Sequence, residues 1–285
     1  MIAMAESRAL KLAPRRRRKR SVRAALARAV RRRSRALWRA LRRAPRWLQL
    51  GAAVAALLLV WSSVNLVYQV MRKPTELFFP VSGALAKAPN ETWRQYGPLF
   101  REYSTATISP ELLAALAQSE SAGDPVAHTY WHWRPSWNPL HLYEPASSAV
   151  GMYQMTDAAF AEARHYCIRK HSVIEEGTWY EMRGCWFNGT YTRIVPSDAI
   201  ELTTIYLDRH LASLIADSGH VGATTQQKQD LAAVVHLCGA GPAEAFLRNG
   251  FRLEPGAHCG DHDAAAYLAR VNAAKREFRR LAVSE

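Results

Sequence analysis

The hydrophobic pattern of the chain begins with an uncharged segment that extends from Trp47 to Met71. At about 1.5 Å of rise per residue, a helix of about 20 apolar residues spans the hydrocarbon core of a bilayer. Trp47, Trp61 and Tyr68 include side chains of the kind that anchor such helices at membrane interfaces. The pattern therefore predicts a single transmembrane helix over residues 47–71.

Two other structures are alternatives for this segment. The apolar core of a signal peptide is shorter, roughly 7–15 residues, and is followed by a small-residue cleavage site, which is not evident here. A buried helix of a globular domain seldom stays uncharged over such a length. We expect the transmembrane helix.

Beyond residue 108, hydrophobic positions recur at helical spacing. Ser109 is a favourable N-cap and Pro110 fits the first helical position, so a helix is predicted to begin there. Further helices are predicted from Thr156 toward Lys170, from Ser197 to Gly219, from Gln226 to Leu237, from Pro242 onward, and from Asp263 to Leu281. No segment has a convincing strand pattern.

These predictions divide the chain into an arm, a membrane helix, a connector and a domain. Residues 1–46 form the basic arm, and residues 72–108 form the connector, which prolines interrupt and which contains a short helix between residues 91 and 103. Residues 109–285 are predicted to form one mainly α-helical domain, large enough to bury a hydrophobic core.

The charge of the chain is unevenly distributed. Residues 1–73 contain 20 Lys and Arg and one acid, whereas residues 74–285 contain 18 Lys and Arg and 23 acids. By the positive-inside rule, the N-terminus lies in the cytoplasm and residues 74–285 lie outside. The cluster at residues 15–20 is basic enough for nucleic acid, but beside a membrane such clusters usually contact anionic lipid. We expect membrane lipid as a partner and no specific nucleic acid.

The four cysteines all lie in the outer domain. An even number in an exported domain favours disulfides, for which three connectivities exist. Proximity along the chain suggests the pairs Cys167–Cys185 and Cys238–Cys259. Free thiols, or a metal site formed by Cys238, Cys259 and nearby histidines, are alternatives, although the spacing matches no familiar zinc pattern. We expect no metal and no cofactor.

A glutamate follows the apolar face of the helix that begins at Pro110. Leu113, Leu116, Ala117 and Glu120 are spaced so that they share one face. A carboxyl group at the edge of a core loses hydration, which raises its pKa and makes it a usable general acid. An exposed, inert glutamate at a helix end is the simpler interpretation of the spacing alone.

A loop between two predicted helices contains small residues, a glycine and an amide. It reads Ser147-Ser148-Ala149-Val150-Gly151-Met152-Tyr153-Gln154. Gly151 permits a close backbone approach, and Gln154 can bind a sugar hydroxyl or N-acetyl group. By itself the loop is an ordinary turn before a helix.

In order along the chain, these segments resemble the signatures of soluble-lytic-transglycosylase-like domains. The matching segments are Glu120-Ser121, Gly151-Met152-Tyr153-Gln154-Met155, Ile205-Tyr206-Leu207, Gly239-Ala240-Gly241-Pro242 and Tyr267-Leu268-Ala269-Arg270-Val271. The resemblance covers roughly residues 109–272. It implies a lysozyme-like α-helical domain that cleaves the MurNAc–GlcNAc β-1,4 bond of peptidoglycan.

The resemblance also implies the roles of individual residues. Glu120 is the sole catalytic acid and base, which protonates the glycosidic oxygen and then accepts the proton of the C6 hydroxyl as that oxygen attacks C1. The product is a 1,6-anhydro sugar. The expected substrate-binding residues are Ser121, Ser148, Gly151, Met152, Tyr153, Gln154, Tyr206, Gly239, Ala240 and Gly241.

The chain departs from the family pattern in two places. Cys238-Gly239 replaces a Tyr-Asn pair whose tyrosine helps to orient the sugar or the glutamate, and His236, Tyr206 or Tyr153 are candidates to replace it. The segment between Glu120 and Gly151 is longer than is typical. Its tryptophans Trp131, Trp133 and Trp137 either stack on sugar rings or pack the loop onto the domain.

Hydrolysis of a glycosidic bond usually employs a second carboxylate. Asp124, Glu144, Asp157 and Glu162 are nearby in sequence, but none occupies a position that supports this role. This mildly favours the intramolecular, anhydro-forming route. The resemblance implies a lytic transglycosylase, and the membrane helix and charge distribution place it in the bacterial inner membrane with a periplasmic domain. Its partners are glycan strands and proteins of an envelope complex. A weakly active peptidoglycan-binding scaffold and a hydrolytic muramidase are the alternatives.

Overall fold

The computed structural model describes residues 32, 38–175, 185, 188–219 and 222–284. It is mainly helical, as predicted. The main helices are α1 (Arg46–Arg72), α2 (Pro89–Glu102), α3 (Pro110–Ser121), α4 (Asp157–Ala163), α5 (Pro196–Ser218), α6 (Thr225–Cys238), α7 (Ala240–Arg248) and α8 (Ala264–Val283). Short 3₁₀ helices lie at Pro74–Val81, Pro139–His141 and Asn188–Thr190.

The uncharged segment forms α1. Its 27 residues are long and apolar enough to cross a membrane, with a mean hydropathy of 2.0 in its most apolar window. The chain divides between Leu66 and Val67 into two compact units. The predicted domain start at residue 109 therefore falls inside the second unit, whose core already includes Trp93, Tyr96 and Phe100 of α2.

The core of the second unit surrounds α3. This helix packs against α2 and α8, while α6 packs against α5, α7 and α8. Six consecutive residues of α3, from Leu112 to Ala117, are buried, so the helix is enclosed on all sides along its middle. A smaller apolar cluster lies between α4, α5 and the hairpin that follows α4.

The ends of α3 are fixed by local sequence. The hydroxyl of Ser109 accepts a hydrogen bond from the Leu112 amide at 3.3 Å, and Pro110 follows it, as predicted. At the other end, Ala122 adopts a left-handed conformation with φ of 52° and stops the helix. Glu120 therefore lies in the last turn, just past the enclosed segment.

The expectation that the domain has no strands is wrong. Three antiparallel hairpins are present among the described residues: β1 (Trp131–Trp133) with β2 (Tyr143–Pro145), β3 (Tyr166–Arg169) with β4 (Ser172–Glu175), and β5 (His258–Cys259) with β6 (His262–Asp263). The strands have only two to four residues, too few for a periodic pattern to stand out in the sequence.

The helix predicted to run toward Lys170 ends at Ala163, and β3–β4 follow it. The two turn residues between these strands, Lys170 and His171, both have positive φ, which usually calls for Asn-Gly. Nδ1 of His171 lies 2.9 Å from the Ser104 carbonyl oxygen, and this contact helps to hold the turn. The turn therefore has no Asn-Gly in its sequence, and the contact between His171 and Ser104 stabilises it instead.

Both suggested cysteine pairs are confirmed as disulfides, Cys167–Cys185 and Cys238–Cys259. The second one ties the end of α6 to strand β5. Because each sulfur is bonded to another sulfur, neither the free-thiol nor the metal-thiolate alternative holds for these residues. Disulfides are typical of oxidising compartments.

We predict that replacing Cys238 and Cys259 together with alanine lowers the free energy of unfolding by about 3 kcal/mol, from the loop entropy of a 21-residue separation. Chemical denaturation of both proteins measures this. The variant should also respond less to a reducing agent than the wild type, because only Cys167–Cys185 remains to be reduced. Equal stability of the two proteins would contradict the prediction.

Candidate active site

Glu120 is a largely buried carboxylate held by two polar side chains from other helices. The hydroxyl of Tyr267, on α8, donates a hydrogen bond to Oε1 of Glu120 at 2.5 Å. Nε2 of His236, near the end of α6, lies 3.5 Å from the same oxygen. The side chain of Glu120 keeps 17% of its surface exposed, so the carboxyl group remains accessible from one side.

The expected rise in the pKa of Glu120 is wrong for the free protein. Burial does raise this pKa, but the hydrogen bond and charge of His236, the hydrogen bond from Tyr267 and the charge of His262 together outweigh it. The pKa of Glu120 therefore lies below its ordinary value. Burial and the carboxylate of Glu120 in turn raise the pKa of Tyr267 well above its usual range, so that Tyr267 remains a hydrogen-bond donor.

His236 is supported by the loop at residues 147–155. The ring of Tyr153 lies edge-on to the His236 ring, with centroids 6.4 Å apart. The hydroxyl of Tyr153 donates to the Leu113 carbonyl oxygen on α3 at 3.2 Å, which fixes the tyrosine. Tyr153 is 1% exposed, so its side chain supports the site from within the core and does not line an open groove.

The same loop is attached to the helix that carries Glu120. The hydroxyl of Ser121 donates to the Met152 carbonyl oxygen at 2.8 Å, and the Met152 side chain is fully buried. The side chains of Met152 and Tyr153 are both buried in the core, so the predicted sugar contact at these two positions stays a prediction for their backbone groups. The amide nitrogen of Gln154 donates to the carbonyl oxygens of Ala127 and Gly151, which orients it within the loop.

Gly151 is required by geometry. Its φ is 83°, and a Cβ added there would lie 2.1 Å from the carbonyl oxygen of Arg193. The Arg193 side chain closes the loop from the other side by donating to the carbonyl oxygens of Ser148 and Met155. The close approach anticipated at Gly151 is thus an approach of the protein's own backbone.

The third matching segment links two helices beside the site. Gly239, with φ of 77° and ψ of −177°, ends α6 and precedes α7, and this conformation is essentially restricted to glycine. Ala240 and Gly241 form the first turn of α7, where Gly241 is exposed. Gly239 follows His236 by three residues and ends the helix that carries it.

Tyr206 occupies a different environment from Glu120. Its ring packs on His210, with centroids 4.4 Å apart, and it contacts the smaller apolar cluster. Of the three candidates to replace the family tyrosine, His236 is the one that reaches the carboxylate, supported by Tyr153.

Two of the three tryptophans in the long segment make ring contacts with other residues of the protein. The indole of Trp131 donates to Oε2 of Glu76 at 3.0 Å, and its ring contacts Phe79 and Tyr143. The Trp133 ring lies 5.0 Å from that of Tyr143. These contacts favour the packing interpretation for Trp131, while Trp133 is 67% exposed and Trp137 is fully exposed.

The carboxylates considered as a second catalytic group are engaged elsewhere. Asp124 is fully buried and accepts hydrogen bonds from the amides of Gly83 and Val126. The other three pair with basic side chains: Glu144 with His141, Asp157 with Arg193, and Glu162 with His210.

Sequence reasoning missed the direct role of Tyr267 at the carboxylate. The available signal was its place on the buried face of α8, with Ala264 and Val271, because a buried tyrosine needs a hydrogen-bond partner. The effect of His262 on the pKa of Glu120 could not be predicted from neighbouring residues, because the position of His262 depends on the β5–β6 hairpin and its disulfide.

In comparisons with known proteins, no protein-family model and no curated protein sequence matches the chain. The chemical interpretation therefore depends on Glu120 and its surroundings.

We predict that Gly151→Ala destabilises the protein more than Gly219→Ala does. Both glycines have positive φ, which costs an alanine about 1–2 kcal/mol, but an added Cβ meets the Arg193 carbonyl only at position 151. Position 219 has no atom within 4 Å of the added Cβ and is the matched control. Denaturant unfolding of both variants measures the difference, and equal losses would contradict the prediction.

Proposed function

We propose that this protein is a membrane-anchored peptidoglycan lytic transglycosylase with a lysozyme-like catalytic domain and Glu120 as its single catalytic acid and base. The observation that supports this most strongly is the placement of Glu120. A carboxyl group that is largely buried, accessible from one side and held by Tyr267 and His236 suits proton transfer to a bound polysaccharide.

In the proposed reaction, Glu120 first donates its proton to the oxygen that links the two sugars, and the bond from that oxygen to C1 of MurNAc breaks. The C6 hydroxyl of the same MurNAc then forms a bond to C1 and returns its proton to Glu120. The carboxyl group ends in its starting state, and no water is consumed. The chain's ordered match to the transglycosylase signatures motivates this route.

The reaction requires protonated Glu120, although its pKa in the free protein is below the ordinary value. A glycan that covers the exposed side of the carboxyl group removes water and thereby favours the neutral form. Tyr267 and His236 oppose this by stabilising the charged form, which the carboxyl group adopts after the first proton transfer. The protein as proposed is therefore more active toward acidic pH.

His236 takes the positioning role that the family assigns to the tyrosine replaced by Cys238. It approaches the same carboxylate oxygen as Tyr267, and its ring is held by Tyr153. Two partners on one oxygen fix the orientation of the carboxyl group before substrate binds.

The engagement of the four candidate carboxylates in the described part of the chain favours the intramolecular route over hydrolysis. Asp124, Glu144, Asp157 and Glu162 each hold another group in the structure. A hydrolase would need one of them to activate water or to attack C1.

The proposed location is the bacterial inner membrane. α1 has the length and hydropathy of a membrane span, and the basic residues before it favour a cytoplasmic N-terminus. Two disulfides in the following domain fit a periplasmic environment. Glycan strands, membrane lipid and proteins of an envelope complex are the proposed partners.

We predict that Glu120→Gln lowers glycan cleavage by about 10³-fold or more, since glutamine cannot transfer the proton. Peptidoglycan digestion followed by mass spectrometry measures both the rate and the ends formed, and wild type should release 1,6-anhydro ends. Glu162→Gln is the matched control, because Glu162 is a surface carboxylate paired with His210, and it should retain activity.

Three results would redirect the assignment. Full activity of Glu120→Gln would reject Glu120 as the acid. Hydrated reducing ends from the wild type would indicate a muramidase. Binding of glycan without any released product would indicate a peptidoglycan-binding scaffold, an outcome that the lowered pKa of Glu120 makes worth measuring.

We predict that Tyr267→Phe moves the alkaline limb of the kcat/KM profile to higher pH. Removing the hydroxyl removes stabilisation of the carboxylate, so the pKa of Glu120 rises and the protonated, active form persists to higher pH. Tyr166→Phe is the control, because the Tyr166 ring packs under the Arg209 guanidinium in the smaller apolar cluster, and it should leave the limb in place. A downward shift in Tyr267→Phe would contradict the assignment.

A further inference from the structure

The segment between Glu120 and Gly151 packs against residues that immediately follow α1. Trp131 donates to Glu76 of the 3₁₀ helix Pro74–Val81 and contacts Phe79 in the same helix. Ser82, just after this helix, also binds the segment, since its hydroxyl accepts a hydrogen bond from the His128 amide at 2.9 Å. The segment and the 3₁₀ helix therefore form one layer.

The last turn of α1 is attached to the same layer. The amide nitrogen of Gln69 donates to the Leu140 carbonyl oxygen at 2.8 Å, and the Tyr68 hydroxyl lies 3.2 Å from Nε2 of His141. Nη1 of Arg72 lies 3.4 Å from Nδ1 of His141. The loop at residues 139–141 thus lies level with the last turn of α1, within roughly 6 Å of its end along the axis.

Large apolar side chains of this layer are exposed together. Trp137 is 105% exposed, and Leu77 and Trp133 are each 67% exposed. We call the set the juxtamembrane surface, which consists of Leu77, Phe78, Phe79, Val81, Leu85, Tyr130, Trp133 and Trp137. Its content of Trp, Tyr and Phe is that of the aromatic belts found where proteins meet the headgroup region of a bilayer.

The acidic groups of this layer are neutralised. Glu76 is buried and pairs with Lys73 at 2.9 Å. Glu144 lies 2.8 Å from His141 and pairs also with Arg134, whose side chain is exposed. Because Glu76 and Glu144 are paired with basic side chains, these two carboxylates do not oppose the approach of anionic lipid headgroups.

We propose that the juxtamembrane surface lies in the outer interface of the bilayer, with Trp137 and Leu77 immersed among lipid headgroups. Lipid is the occupant that the geometry favours, because residues 67–72 continue from the membrane-spanning helix and are bonded to the same layer. This inference rests on the proposed anchoring by α1 and is independent of glycan cleavage.

A residue that directly follows α1 also contacts the loop beside the candidate active site. The ammonium group of Lys73, directly after α1, donates to the carbonyl oxygens of Ser147 and Ala149 at 3.2 and 3.4 Å. These residues begin the loop that contains Gly151 and Tyr153. Immersion of the juxtamembrane surface therefore sets the height of the proposed glycan-cleaving site above the membrane.

Site-directed spin labelling of the full chain in vesicles of phosphatidylethanolamine and phosphatidylglycerol tests the proposal. Single labels are placed by Trp137→Cys and Leu77→Cys in the juxtamembrane surface, by Leu58→Cys in α1 and by Ala212→Cys on the exposed side of α5. Collision with oxygen, which concentrates in lipid, is compared with collision with a water-soluble nickel chelate.

We expect nickel access at positions 137 and 77 to be several-fold lower than at position 212 and higher than at position 58, as befits labels in the headgroup region. Nickel access equal to that at position 212 would overturn the proposal and leave the anchoring by α1 intact. Protection from both reagents would also overturn it, since protein would then cover the surface. Nickel access at position 58 would reject the anchoring itself.

Discussion

The second unit of this protein is organised around one constraint, the burial of a carboxylate at the end of an enclosed apolar helix. Six buried residues of α3 lead directly into the turn that carries Glu120. Such a group needs partners, because an unpaired charge in a low-dielectric environment is costly. Tyr267 comes from α8 and His236 from α6, so both partners are in place only when α8 packs on α3 and α6 packs on α8. The polar site and the apolar core therefore form together.

The loop at residues 147–155 supports this arrangement mainly through its contacts with α3 and His236. Its hydrogen bonds to Ser121 and Leu113 attach it to α3, and Tyr153 places the His236 ring. The side chains of Met152 and Tyr153 are buried, so this loop contributes to the structure around Glu120.

The sequence predicted well those features that depend on local chemistry. The N-cap at Ser109, the helical class and both disulfide pairs followed from spacing and residue type. Contacts between distant segments were not accessible in this way. The hairpin turn at Lys170 and His171 needs Ser104, and the partners of Glu120 lie more than a hundred residues away. The pKa of Glu120 was misjudged for the same reason, since burial was visible in the sequence and its opposing charges were not.

The disulfide between Cys238 and Cys259 has a consequence for when the site is completed. It joins the end of α6, two residues after His236, to the hairpin that carries His262. A chain that has not yet met an oxidising environment lacks this bond. Newly synthesised protein therefore carries the acid and its nearest partners without the covalent link to the hairpin. The electrostatic environment around Glu120 is thus coupled to the redox chemistry of the compartment in which the chain folds.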